Sequence, residues 1–375
     1  MTLNFCAPCL LGLEGLVGDE LRRLGFENAR SENGRVRWSG EPLAIARANI
    51  NLRCAERVLI EVGSFEARSF DSLFEGVKAL PWEDFIPKNG AFPVKGHSLN
   101  SQLHSVPDCQ RIIKKAVAER LKGKYCLAWL PEDGELYQIQ FALMKDVVTL
   151  YLDTSGTGLH KRGYRPASVA APLRETLAAA MVWLARYKGK GDFCDPFCGS
   201  GTIAIEAALA AKNRAPGLNR SFSAEKWSWL DPKLWKKARE EARDREFNGN
   251  YSILGSDIDP KAVEIARQNA LRAGVADIVK FHVADATAFS RKTAGGVIVT
   301  NPPYGERLLE KRQAEQLYRE FGSAMKAVNS GEGGNWKLYI LSSHEDFERF
   351  FGRRADKKRK LYNGMIKCQL FMYYN

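Results

Sequence analysis

The segment Asp192-Phe193-Cys194-Asp195-Pro196-Phe197-Cys198-Gly199-Ser200-Gly201-Thr202 constrains the chain more than any other. A short apolar run ends on an acid, a glycine turn comes next, and residues 203–211 form an Ala- and Ile-rich stretch of helical length. Strand, glycine turn, helix is the opening of a Rossmann-like unit, which commits the downstream chain to a parallel α/β sheet. Glycines let a ligand approach the backbone at the helix N-terminus. The turn is neither Gly-x-Gly-x-x-Gly nor a Walker loop, because no Gly-Lys-Ser/Thr is present. Asp195, placed ahead of the glycines, would repel a pyrophosphate and suits a cationic or amine-bearing ligand.

Three further strands end in polar groups. Tyr251-Ser252-Ile253-Leu254-Gly255-Ser256-Asp257 is followed by Ile258-Asp259-Pro260 and a helix over 261–273. An acid at the second strand tip typically binds ribose hydroxyls, and Asp259 reads as the helix cap. Val279-Lys280-Phe281-His282-Val283 leads to Ala284-Asp285-Ala286, where a carboxylate could reach an adenine amino group. Gly296-Val297-Ile298-Val299-Thr300 delivers Asn301-Pro302-Pro303-Tyr304. The two prolines fix the backbone and remove N–H donors, leaving carbonyls to accept. With the Asn301 carbonyl and the flat face of Tyr304, they suit a planar group bearing an amine. Strand tips on one edge of a parallel sheet make one crevice, where ligands bind in such folds.

The upstream half reads as two small α+β units. Over 1–65 the pattern is strand, helix, strand, helix, strand, a ferredoxin-like order. Over 66–155 it is a helix near 70–80, a strand at Ala91-Phe92-Pro93-Val94-Lys95-Gly96-His97, a helix at 107–122 and strands at 137–143 and 147–153. The second helix carries Arg111, Lys114, Lys115, Arg120 and Lys122, either a phosphate-tracking face or a solvated surface. His160-Lys161-Arg162-Gly163-Tyr164-Arg165 joins the halves and is expected to fold over an anionic or nucleotide ligand. Residues 172–187 then form a mostly buried helix.

Charge narrows the partner. With 56 basic against 44 acidic residues the net charge is +12, which favours a polyanion, most often nucleic acid. No apolar run approaches the roughly 20 residues of a membrane helix. The start, Met1-Thr2-Leu3-Asn4-Phe5, lacks the pattern of a signal peptide. A cytoplasmic protein with no membrane partner is expected. The eight cysteines are scattered and read as free thiols. Cys6-Ala7-Pro8-Cys9 has metal-ligand spacing without the second pair that structural zinc needs, so no metal is expected.

Asp195-Pro196-Phe197-Cys198-Gly199-Ser200-Gly201-Thr202 with Asn301-Pro302-Pro303-Tyr304 resembles the class I S-adenosylmethionine-dependent methyltransferases that act on exocyclic amines. Gly305-Glu306-Arg307-Leu308, Ala215-Pro216-Gly217-Leu218-Asn219-Arg220 and Glu225-Lys226-Trp227 narrow the resemblance to bacterial THUMP-domain RNA methyltransferases, in particular the guanine-N2 methyltransferases of large-subunit ribosomal RNA. The resemblance implies a ferredoxin-like module at 1–65, a THUMP module at 66–155 and a Rossmann-like methyltransferase domain at 156–375. It implies S-adenosylmethionine across Asp195, Pro196, Phe197, Gly199, Gly201 and Thr202. Further cofactor contacts fall to Asp257 and Ile258 at the ribose, Asp285 and Ala286 at the adenine, and Asn301. Asn301, Pro302, Pro303 and Tyr304 would hold the target amine. Cys194 and Cys198 are assigned no nucleophilic role.

The distance from Asp195 to Asp257 far exceeds the ~20 residues usual between glycine turn and ribose acid. The resemblance places a family insert at about 212–250, holding Trp227, Trp229 and Trp235. An RNA contact or a helical brace for the sheet would suit it equally. The basic segment Arg353-Arg354-Ala355-Asp356-Lys357-Lys358-Arg359-Lys360 is expected to contact RNA, ahead of a last strand at 365–374. Ribosomal RNA is the expected partner. The alternatives are a tRNA guanine-N2 methyltransferase, a DNA adenine-N6 methyltransferase and a non-catalytic RNA-binding protein. The sequence assigns no oligomeric state.

Overall fold

The computed structural model describes residues 1–165, 173–291, 293, 295–304, 308–331 and 334–374. These fall into two compact units. The first comprises Met1–Cys9, Val17–Leu159 and Arg220–Glu241, and the second Leu10–Leu16, His160–Asn219 and Ala242–Asn375. Among the described residues no helix is long and apolar enough to cross a membrane.

The first unit is built on strands β1 (Leu3–Pro8), β2 (Arg30–Glu32), β3 (Arg35–Gly40), β4 (Leu59–Glu66), β5 (Val94–Leu99), β6 (Ile139–Met144) and β7 (Val147–Asp153). Helices α1 (Glu14–Arg23), α2 (Leu43–Asn51), α3 (Phe70–Ala79) and α4 (Val106–Tyr125) alternate with them. The two predicted small units are one sheet, ordered β2-β3-β1-β4-β7-β6-β5. The junction is β4, which pairs with β1 on one side and along its length with β7 on the other. Being central, β7 is buried from Val148 to Asp153, the near-continuous burial of a strand covered on both faces.

The cations of α4 are largely engaged locally. Arg111 pairs with Asp108, Lys114 with Glu132 at 2.8 Å and Arg120 with Glu83 at 2.7 Å. Lys122 lies 3.5 Å from Glu119, and Lys115 sits over the Phe74 ring. This is the pattern of a solvated helix face more than of a row of cations held clear for phosphates.

The second unit contains β8 (Asp192–Asp195), β9 (Ser252–Asp257), β10 (Val279–Val283), β11 (Gly295–Thr300), β12 (Asn335–Ser342), β13 (Lys357–Asn363) and β14 (Ile366–Tyr373). Their order is β10-β9-β8-β11-β12-β14-β13. The first five run parallel to one another, and β14 alone is reversed, pairing antiparallel with both β12 and β13. Chain order reverses between β8 and β11, the topological switch point of a doubly wound sheet. Its helices begin with α5 (Glu175–Leu184) and α6 (Thr202–Ala211). The next, α7 (Lys233–Asp244), belongs mostly to the first unit. Helices α8 (Pro260–Ala273), α9 (Leu308–Ser330) and α10 (Phe347–Phe351) complete the second. Asp259 caps α8 by accepting from the Lys261 N–H at 2.9 Å, and Gly274 ends it with φ +71. On α9, Ala314, Tyr318, Phe321 and Met325 recur at helical spacing and pack with Ile298, Trp336 and Phe371 in the core.

One expectation changes here. Residues 220–241, expected within an insert of the C-terminal domain, pack inside the first unit. Trp227 is buried, stacks on Tyr137 at 5.0 Å and donates from Nε1 to the Leu136 carbonyl at 2.9 Å. Phe222 stacks on Trp235, and the Ala224 N–H donates to the Thr154 carbonyl. Trp227 is therefore a brace at the start of β6, while Trp235 packs within the segment and Trp229 meets Phe85 edge-on. Burying one such ring contributes about 1.5–3 kcal/mol. From Lys357 the basic segment 353–360 is β13, paired with β14 in a hairpin.

Candidate active site

The carboxyl edge of the parallel strands, beside the order reversal, opens into a cavity of about 700 Å³ within the second unit. All four strand tips line it: Asp195, Asp257, Asp285 and Asn301. So do Pro196, Phe197, Gly199 and Thr202 of the turn, Ile258 and Ala286 beside the acids, and Pro302, Pro303 and Tyr304. Gly201 does not. It has φ +84, and a Cβ there would lie 2.9 Å from the Ala266 Cβ and 3.0 Å from the Phe281 ring. Packing of α6 on α8 and β10 therefore requires this glycine, and ligand approach does not. Gly199 is the converse, with φ +50 and open space where a Cβ would stand.

The turn is fixed by its neighbours. The Cys198 N–H donates to the Ser256 carbonyl at 2.8 Å, the Gly199 N–H to Asp257 Oδ2 at 2.9 Å, and Asn269 Nδ2 to the Ser200 carbonyl at 2.9 Å. The Phe197 ring meets Phe321 edge-on at 5.1 Å. Asp257 Oδ1 also accepts from the Asp259 N–H at 3.0 Å. Both oxygens of the expected ribose ligand are thus oriented by backbone donors. Asp285 Oδ1 accepts from the Thr287 N–H and hydroxyl, each at 2.8 Å, so this acid also caps the turn behind it.

Asp195 is the electrostatic centre. It is 1% exposed and accepts from the Thr300 hydroxyl at 2.7 Å and the Phe197 N–H at 3.3 Å. Burial pushes its carboxyl up to about 7, with Asp257 adding to the rise and the two donors opposing it. A positive group in the cavity would favour the ionised form. Cys194 and Cys198 are buried, and burial pushes the Cys194 thiol up to about 12 and raises that of Cys198 well above its usual range. Neither carries the lowered pKa of a nucleophilic cysteine.

In the Asn301 loop the acceptors are divided. The Pro303 carbonyl accepts from the Tyr318 hydroxyl at 2.6 Å. Among the described residues no donor reaches the Pro302 carbonyl. The Tyr304 hydroxyl donates to Asn301 Oδ1 and lies 3.8 Å from Cys368 Sγ. Burial raises its pKa, so it remains a donor at neutral pH. This bond orients the Asn301 amide and occupies one of the two lone pairs on its oxygen. Gly305, Glu306 and Arg307 lie outside the described residues.

The loop at 160–165 behaves differently from expectation. Arg162 is buried against Glu206 at 3.4 Å, and Tyr164 donates to the same carboxylate. Arg165 pairs with Glu175 at 2.6 Å and donates to Thr202 Oγ1 at 3.1 Å. Its two arginines lock α5 and α6 together behind the glycine turn. Sequence reasoning also missed Thr300, Tyr318 and the hairpin residues Asn363, Gly364 and Ile366, of which the last three line the cavity. Asn363-Gly364 between two strand-like runs was the available signal for the hairpin.

Comparison with known proteins agrees with this geometry. Residues 162–371 match the family model "RMKL-like, methyltransferase domain", residues 4–59 an "RlmL ferredoxin-like domain" and residues 67–153 a "THUMP domain". YpsC of Bacillus subtilis (strain 168), a protein named for RNA methyl transfer, is 48% identical over 377 residues, covering 100% of this chain and 96% of the relative. The ribosomal RNA large subunit methyltransferase K/L of Marinobacter nauticus is 34% identical over 98% of this chain. The match spans 52% of that relative, so the chain covers about half its length. A solved structure from Listeria monocytogenes, described as a "predicted N6-adenine-specific DNA methylase", superposes with a TM-score of 0.94 at 47% identity, covering 100% of this chain and 97% of that one. A methyltransferase called SMU.472, solved with SAH, gives a TM-score of 0.93 at 42% identity, covering 100% and 98%. The chain belongs to the RMKL-like methyltransferase family, with ferredoxin-like and THUMP domains preceding a class I methyltransferase domain.

Proposed function

We propose that this protein is an S-adenosylmethionine-dependent RNA methyltransferase that modifies the exocyclic N2 amine of a guanosine in large-subunit ribosomal RNA. The observation that carries it is the convergence of three strand-tip carboxylates and the Asn301-Pro302-Pro303-Tyr304 loop on one cavity. The residues fit the cofactor. Asp195 is a carboxylate whose burial pushes it up to about 7, with no cation paired to it among the described residues. Gly199 leaves open space beside the backbone, and the Asp257 oxygens are aimed by the turn. A volume of about 700 Å³ lies within the range of small-molecule and cofactor sites. The SAH-bound relative supports the same donor. Ribosomal RNA is supported by the name of the K/L relatives, and RNA by the THUMP match.

Bound S-adenosylmethionine supplies an electrophilic methyl on a sulfonium. The chain's part is positioning. Asp195 would take the ammonium end of the cofactor, a charge that SAH retains, Asp257 its ribose hydroxyls, and Asp285 its adenine amine. Asn301 Oδ1 and the Pro302 carbonyl accept from the target amine and aim the nitrogen lone pair into the cavity. Tyr304 offers its ring to the base, which must leave its helix to arrive there. Such alignment supplies about 7 kcal/mol or more of barrier reduction in favourable cases without a covalent intermediate. We expect Asn301→Ala to lose methyl transfer to large-subunit rRNA by at least about a hundredfold while retaining SAH binding by calorimetry. Near wild-type turnover would end this assignment. The Listeria structure's description favours a second reading, adenine-N6 methylation of DNA. Labelling of duplex DNA in preference to rRNA would select it.

A further inference from the structure

The β13–β14 hairpin is the wall of the cavity with no assigned purpose. Its closing pair is Asn363 and Ile366, and both line the cavity together with Gly364. The last rung between β12 and β14 joins Ser342 to Gln369. Residues 366–368 therefore run on past the end of β12, roughly 10 Å at about 3.4 Å per residue. They do so at the edge where the parallel strands end, and Cys368 reaches Tyr304 there. The tip is a projecting rim of the crevice.

Its turn chemistry does not call for the residue it carries. Gly364 has φ +64 and Met365 is not among the positive-φ residues, the pattern of a two-residue type II′ turn. Such a turn needs glycine at its first position and accepts most residues at the second. Here that second residue is Met365, 97% exposed, next to Ile366 at 39%. The flanking face carries charge. Tyr362 and Lys367 are directly opposed, so their side chains leave the same face, and Lys360 Nζ lies 5.2 Å from the Tyr362 ring. Lys358 is paired with Glu348, whereas Lys360 and Lys367 are exposed without a carboxylate partner among the described residues. Lysines on an edge strand discourage edge-to-edge pairing, which accounts for β13 on its own terms. It does not account for adjacent exposed apolar residues at the tip.

We propose that Met365 is a wedge that enters folded RNA beside the target nucleotide and takes the stacking place of the base that leaves for the cavity. The inference rests on the RNA reading of the site. An unbranched thioether fills irregular gaps, and apolar wedges between bases are a known way to unstack a helix. Lys360 and Lys367 hold the phosphates on either side. The target base then has a short path to Tyr304, because wedge and cavity share the Asn363–Ile366 pair.

The test uses the full chain and the rRNA segment that wild type labels. That segment is annealed to its complement, or to a complement with an abasic residue opposite the target. Met365→Ser should lower kcat/KM about tenfold on the paired duplex and by less than about twofold on the abasic one, where extrusion is already easy. SAH affinity should be unchanged, which reports an intact fold and cofactor site. An equal loss on both duplexes, or none on either, overturns the wedge. So does a wild type that ignores pairing or acts on neither duplex. A wild type that labels no RNA at all instead defeats the RNA reading, before any variant is compared.

Discussion

Two buried carboxylates, one in each unit, show how the same group serves opposite ends. Asp153 closes β7 in the first unit and is 0% exposed. It receives Arg57, Gln140 Nε2 at 2.9 Å, and the N–H groups of Ser155 and Gly156 at 2.9 and 3.2 Å. Burial raises its carboxyl, and Arg57 with the backbone donors pulls against that rise. Asp195 closes β8 in the second unit and is equally buried, but its donors are one hydroxyl and one N–H, and it borders the cavity. A carboxylate with a full set of partners holds a fold together. One with no cation paired to it among the described residues leaves a charge that a positive ligand group would match.

The comparison breaks most directly by mutation of Asp153. Asp153→Ala removes the carboxylate from Arg57, Gln140 and two N–H groups, leaving Arg57 only the Gly156 carbonyl. It should lose roughly 3 kcal/mol in chemical denaturation, the low end for a broken buried pair because Arg57 is partly exposed. SAH affinity should not change, and a parallel loss would end the division of roles. Asp195→Asn should do the reverse. SAH binding should weaken by about 2 kcal/mol, some thirtyfold, with a melting temperature no lower than wild type.

The pH dependence sharpens the contrast. With its folded value raised to about 7, Asp195 loses its charge as the pH falls through neutrality. SAH affinity should drop about tenfold between pH 7 and about 5.5, and the slope should vanish in Asp195→Asn. For stability the sign is opposite. The folded state binds the extra proton between the usual carboxylate range and about 7, so this group's opposition to folding fades as the pH falls through that window. The smallest effect is expected at Tyr318. Tyr318→Phe frees the Pro303 carbonyl and should lower kcat about fivefold through loss of one neutral hydrogen bond, with SAH affinity unchanged.

Much of the second unit was legible in the sequence. Asp259-Pro260 and Gly274 bracket α8 by local capping chemistry, and each strand of the parallel set ends where a polar residue interrupts an apolar run. All four expected tip residues reached one cavity for that reason. The illegible parts involved partners distant in the chain. Gly201 resembles Gly199 in sequence, yet its neighbours Ala266 and Phe281 decide that it packs a helix. The cations of 160–165 look available until Glu206 and Glu175 are placed beside them.

The sequence by itself determined the doubly wound sheet, the ordered acids at its edge and the Asn301-Pro302-Pro303-Tyr304 loop beside them, because periodicity, caps and turn residues act over a few neighbours. Tertiary structure alone decided that two small N-terminal units share one sheet through β4, and that Trp227 braces that sheet. It also placed a C-terminal hairpin at the rim of the crevice. Strand pairing runs through backbone groups that every residue carries, so it leaves no local signature. The same is true of Asp195, whose carboxyl is named by the sequence but whose charge is set by its burial in the folded sheet.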